Sequence, residues 1–219
     1  MREKGKVFRD YIFTHRYILL ILYVPIYLIS FFAVELLVPE SADYWVSYCS
    51  IDDWIPFCEY FIIPYYLWYP LLFAVGLYLL WKDVPVYKRY MYCIIIGFSA
   101  CVLICAFFPN GQDLRPEVFP RDNIFTTLVR NIYQVDTNTN VIPSVHAVGA
   151  IFAAIAVCST KTVKKYWVKI AVTVLAVLIC MATCLVKQHS ILDVFAAIGL
   201  CAAVYPIVCI IMKKSVRIS

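Results

Sequence analysis

Six apolar runs leave few folds open to this chain, each being close to the roughly 20 residues a helix needs to cross a bilayer core. They cover residues 17–38, 60–81, 90–108, 143–158, 166–186 and 190–212. Backbone in lipid must satisfy its own N–H and C=O groups, and uninterrupted runs of this length do so as helices. The pattern predicts an all-α integral membrane protein: a six-transmembrane-helix bundle forming one domain over residues 1–219. Composition agrees, with 63% of residues hydrophobic and 15% charged, against roughly 45–50% and about 25% in soluble domains. The fourth run is the shortest and is expected to begin inside the membrane boundary. The first is too long for a signal peptide and no small-x-small cleavage site follows it, so it reads as an anchor.

Charge placement sets the expected orientation, because cytoplasmic flanks collect Lys and Arg. Fifteen of the 19 basic residues fall at the N-terminus, around the junction of the second and third runs, between the fourth run and the first turn of the fifth, and after the sixth. Both termini are therefore expected in the cytoplasm. The loops 39–59 and 109–142 and the turn 187–189 then face outside. Only Arg115, Arg121, Arg130 and Lys187 lie on that outer side. The net charge of +5 is thus a topology signal, and no nucleic-acid partner is expected. Eight of the ten cysteines sit in apolar runs, where Cys acts as a small hydrophobe. Cys49 and Cys58 lie in the first outer loop, where a disulfide between them is an open alternative. Glu35, near the outer end of the first run, reads as a carboxylate within reach of the headgroups.

The outer loop 109–142 is longer than most connectors, which favours a functional role. Within it, residues 123–133 read as a short amphipathic helix capped by Asp122 or Asn123, with Ile124, Phe125, Leu128, Val129 and Ile132 on one face. Upstream stand Arg115 and Pro116. Downstream, Pro143-Ser144-Val145-His146 opens the fourth run. Proline suits the first helical turn, and the amides of Ser144, Val145 and His146 would then favour an anion. Arg115 offers a planar fork that matches phosphate oxygens. Between the last two runs, a helix beginning near Gln188 would put His189 and Asp193 on one face, four residues apart. A carboxylate on one ring nitrogen fixes the tautomer and frees the other nitrogen to act.

Taken in order, Arg-Pro, Pro-Ser-x-His and His-x-x-x-Asp resemble the signatures of the type 2 phosphatidic acid phosphatase superfamily of membrane lipid phosphatases. The resemblance covers residues 108–199. The match to the family's Lys-x6-Arg-Pro, Pro-Ser-x-His and Ser-Arg-x5-His-x3-Asp is partial: Phe108 stands at the Lys position, and Ala182 and Thr183 at Ser-Arg. The Lys187-Gln188-His189 form is similar to the branch near inositol-phosphorylceramide synthases and related bacterial proteins, which includes phosphotransferases.

The resemblance implies His189 as nucleophile, Asp193 as its orienting carboxylate and His146 as general acid and base. Arg115, Ser144 and Lys187 would hold the phosphoryl group, with Lys187 replacing an absent arginine. The implied activity is hydrolysis of a lipid phosphate or diphosphate at the outer face of a bacterial cytoplasmic membrane, with no metal or other cofactor. Transfer of a phospho-headgroup to an alcohol is the alternative. A non-enzymatic lipid-binding or transport protein stands third, since a carrier needs no oriented imidazole. Neither the lipid nor the oligomeric state follows from these residues.

Overall fold

A computed structural model describes residues 15–38 and 43–218, with side chains to residue 213. Arg2, Lys4, Lys6 and Arg9, the start of the loop at Pro39, and the side chains of Lys214 and Arg217 lie outside the described residues. The chain is mostly helical. A 3-10 segment, Arg16–Leu22, runs into α1 (Tyr23–Leu37). The remaining helices are α2 (Ile62–Lys82), α3 (Val84–Phe107), α4 (Ile124–Val135), α5 (Val145–Ser159), α6 (Tyr166–Leu185) and α7 (Ile191–Ile218). Five segments are long and apolar enough to cross a membrane: Arg16–Leu37, Glu59–Lys82, Val84–Phe107, Tyr166–Leu185 and Ile191–Lys213. The fourth run of the sequence forms α5, which is apolar but only 15 residues long.

The shortest of the six apolar runs forms the most enclosed helix. Ala147, Val148, Ala150, Phe152, Ala153, Ala156 and Val157 of α5 are all buried against α2, α3, α6 and α7. Its small residues let neighbouring helices come close. At Gly149 a Cβ would lie 2.7 Å from the Trp68 indole nitrogen of α2. By contrast, α1 is peripheral and mostly exposed, meeting α3 through Tyr23 and Ser99 (2.9 Å) and through the Tyr27 and Phe98 rings (4.9 Å). Exposed apolar side chains such as Leu36 and Phe107 cover the outside of the bundle. That surface suits contact with lipid rather than water.

The third run starts earlier than its hydropathy suggests. Asp83 caps α3 by accepting from the Val86 amide, and Pro85 lies in the first turn, so Lys88 and Arg89 are helical. Proline at a helix start loses no hydrogen bond that the helix would otherwise make. Asp83 also accepts from Thr160 at the end of α5 (2.5 Å).

At the other end of the bundle, two loops are joined by a short parallel pairing, β1 (Trp45–Val46) with β2 (Asn110–Gly111). Residue pairs this short carry no alternating pattern and were not expected. The Ser47 amide extends the pairing to Gly111 O (2.7 Å). Gly111 fits closely there, since a Cβ would meet the Tyr44 ring at 2.5 Å and force it to shift. Helix α4 lies across this end, and its start matches expectation. Asn123 caps it, and Thr126 completes a reciprocal capping box. Val129 and Ile132 are buried against Ile62, Tyr65, Ala182 and Val186. Cys49 and Cys58 are both free thiols. Glu35 accepts from Thr137 and from Asn140 (2.9 Å), tying α1 to the loop before α5.

Candidate functional site

The turn between α6 and α7 is built by backbone capping. Lys187 takes a left-handed conformation (φ 56°). The amides of Gln188 and His189 both donate to Thr183 O at 3.0 Å, folding the chain back over the last turn of α6. Helix α7 begins only at Ile191, not near Gln188. His189 and Asp193 therefore meet for a different reason from helical periodicity. Ser190 Oγ accepts from the Leu192 amide (3.2 Å), and the Asp193 carboxylate accepts from the Ser190 amide (3.0 Å). This is a variant of the capping box: Ser190 takes the second amide of the helix, and Asp193 at the third position reaches back to the Ser190 amide. It brings Asp193 Oδ2 to 3.1 Å from His189 Nδ1. Asp193 is fully buried, and its Oδ1 accepts from Ser47 Oγ at 2.5 Å.

The start of α5 is joined to the same place. Pro143 precedes the helix, Ser144 is the N-cap, and Val145 is the first helical residue. The Ser144 amide is thus not open to an anion, as the sequence suggested: it donates to Asp193 O at 3.1 Å. Ser144 Oγ accepts from the Ala147 amide at 3.4 Å. His146 lies in the first turn, its ring against Tyr65 (4.4 Å) and Trp68 (4.5 Å) of α2. The His146 and His189 ring centroids are 6.0 Å apart. His146 Nε2 is buried with no hydrogen-bond partner among the described residues. A buried polar atom without a partner is costly and uncommon.

Arg115 sits in an adjoining network. Its Nε and Nη2 donate to Gln188 Oε1 (3.1 and 2.7 Å), Nη2 also to Asp136 O (2.6 Å), and Nη1 to Tyr133 O (3.3 Å). The guanidinium stacks on the Tyr133 ring at 4.3 Å. Arg115 therefore caps the C-terminus of α4, where a cation is favoured. Gln188 donates to Asp136, and Tyr65 OH donates to Asp136 Oδ2 (2.5 Å). Gln188 precedes His189 and Tyr65 stacks on His146, so the network adjoins both imidazoles.

Lys187 is bound by the first loop. Its Nζ donates to Asp52 O (3.0 Å) and Ile55 O (2.6 Å). Burial pulls its pKa below the ordinary lysine range, and the nearby Asp52 carboxylate opposes this. Asp52 is itself buried and supplies a tertiary cap to α7: it accepts from Ser190 Oγ (2.6 Å) and from the Ile191 amide (2.8 Å).

Of the six residues expected to act together, His146, Ser144, His189 and Asp193 converge. Arg115 and Lys187 flank them in separate hydrogen-bond networks. Sequence reasoning missed Ser47, Asp52, Tyr65, Asp136 and Gln188. A hint existed only for Asp52, a carboxylate in a short polar stretch among aromatics. Among the described residues, no group of three or more His, Cys, Asp or Glu is arranged to hold a metal ion.

Two apolar cavities flank the site. One, of about 590 Å³, lies between α5, α6 and α7 and reaches Cys184, Leu185 and Ile191 beside the His189 turn. The other, of about 290 Å³, lies between α1, α2 and α3 and includes Trp68 and Tyr69. No family model, curated protein or solved structure matches the chain.

Proposed function

We propose that this chain is a membrane lipid phosphatase of the type 2 phosphatidic acid phosphatase kind, working through a phosphohistidine. The observation that carries the reading is the pair of imidazoles 6.0 Å apart, one bonded to a buried carboxylate and the other with an unpartnered buried Nε2. Because Nδ1 of His189 faces Asp193, Nε2 is its reactive nitrogen. It attacks phosphorus, and the bond to the departing alcohol or phosphate breaks. His146 gives that group a proton. In the second step His146 removes a proton from water, whose oxygen displaces His189 and releases inorganic phosphate. Asp193 stabilises the imidazolium character that develops on His189. In this reading Ser144 Oγ and the amides of Val145 and His146 would stabilise the phosphoryl oxygens, and Arg115 and Lys187 would add positive potential beside them.

In this reading α5 is a sixth, short span. Its 15 residues make a helix of about 22 Å, less than a bilayer core of roughly 30 Å. His146 then sits below the membrane surface, where a lipid headgroup can be drawn in. The Lys and Arg bias favours both termini in the cytoplasm and the site outside, and the family branch that the chain resembles favours a bacterial cytoplasmic membrane.

Transfer to an alcohol is the second reading. It is favoured by the 590 Å³ apolar cavity beside the His189 turn, which has room for the chain of a lipid acceptor.

The test is purified protein with phosphatidate, prenyl diphosphate and phosphatidylglycerophosphate, with and without acceptor alcohols. Phosphate release should resist EDTA, be blocked by vanadate and vanish in His189→Ala. Headgroup transfer without phosphate release selects the second reading. Activity that survives both His189→Ala and His146→Ala overturns both.

A further inference from the structure

The two oxygens of the Asp193 carboxylate are held by different parts of the chain. Oδ2 accepts from the His189 ring and the Ser190 amide, both local partners. Oδ1 accepts from Ser47, 146 residues away. Ser47 is fully buried, and its amide is fixed by Gly111 O at 2.7 Å. Its hydroxyl therefore comes from a rigid point.

We propose that Ser47 is a positioning residue: by holding Oδ1 it stops the Asp193 carboxylate from turning, keeps Oδ2 on His189 Nδ1, and so keeps the proton of the neutral imidazole on Nδ1. Its catalytic meaning rests on the reading of His189 as the nucleophile, since only an Nε2 without a proton can attack. The geometric role does not depend on that reading. Without the hydroxyl, Oδ1 is left buried with no donor, and a carboxylate so placed rotates to recover one. The tautomer of His189 is then no longer pinned. Other titratable groups face this pair: His146 from α5, Asp52 through Ser190, Lys187 from the turn, and the thiols of Cys105 and Cys184. Among the described residues, none of these donates to Oδ1.

The experiment is imidazole ¹⁵N NMR on the full-length protein in nanodiscs, where a chain with three histidines gives a resolvable set. In the wild type, His189 should show one neutral tautomer with the proton on Nδ1. Ser47→Ala should show both tautomers. Ser47→Cys keeps the buried bulk but donates weakly, so it should give the same mixture and covers the case in which Ser47→Ala does not fold. Where the protein turns over substrate, kcat should fall on the order of tenfold with KM unchanged. A single Nδ1-protonated tautomer in either variant overturns the assignment. The tautomer is read without substrate, so a wild type that releases no phosphate defeats the phosphatase reading and leaves the Ser47 result intact.

Discussion

His146 and His189 stand 6.0 Å apart, ring to ring, although one opens α5 and the other precedes α7. The Ser144 amide, bonded to Asp193 O, fixes that spacing by joining the two helix starts. His146→Ala should lower turnover by roughly 10²–10⁴-fold while far-UV circular dichroism stays unchanged. A leaving group of low pKa needs little protonation, so an aryl phosphate should lose less. Equal losses on both substrates would remove His146 from the role of acid.

Asp52 caps α7 from another part of the chain. Asp52→Ala removes acceptors from Ser190 Oγ and the Ile191 amide. The expected cost is about 1–2 kcal/mol, by analogy with lost helix caps. Denaturation in detergent reads it, and Asp52→Asn should recover part of it, since the amide oxygen still accepts. No loss in Asp52→Ala would mean that water substitutes for the carboxylate.

Gly111 lies under the Tyr44 ring, with Asn138 O a further 3.0 Å neighbour of any added Cβ. Gly111→Ala should destabilise the protein by about 1–3 kcal/mol through overpacking and pull β1 away from β2. Because Ser47 extends that pairing, His189 chemistry should weaken as well. A variant as stable and active as the wild type would show that the two loops part without consequence.

Glu59 is buried at the start of α2 and receives two hydrogen bonds from Arg121 (2.6 and 2.9 Å) and one from Asn123 (3.0 Å). Arg121→Ala leaves that carboxylate with a single side-chain donor. Its melting temperature should fall, and Glu59→Gln in the same background should restore part of the loss by removing the charge. If the double variant melts no higher than Arg121→Ala, the ion pair is not what holds α4 to α2.

Orientation has its own test. Pro120 and Lys161 are both exposed and lie at opposite ends of the bundle. In a background without reactive native thiols, a membrane-impermeant reagent should label Pro120→Cys in intact cells. Lys161→Cys should label only after permeabilisation. The reverse pattern would invert the topology.

The helices were legible in the sequence because each is a long apolar run, and α4 because its cap and face are local. Its boundaries, read as 123–133, differ little from Ile124–Val135. The start of α3 was misjudged because Lys88 and Arg89 looked like a loop, whereas Asp83 and Pro85 begin the helix before them. The His189–Asp193 contact was anticipated, but a capping box makes it rather than a shared helix face. Arg115 was read as a phosphate fork, and its bonds to Tyr133 O and Asp136 O depend on where α4 ends in space. Ser47 and Asp52 were illegible for a related reason. Each lies in an irregular loop, and the partners that tie it to the site lie 138 or more residues away.

That separation bears on how the protein is made. Ser47 and Asp52 leave the ribosome well before Ser190 and Asp193. Until α7 is in place, the Ser47 hydroxyl lacks its carboxylate and Asp52 lacks the helix start that it caps. The cluster around Asp193 is complete only once α7 has joined the other helices, so a chain terminated before α7 carries both imidazoles but lacks the carboxylate that holds one of them.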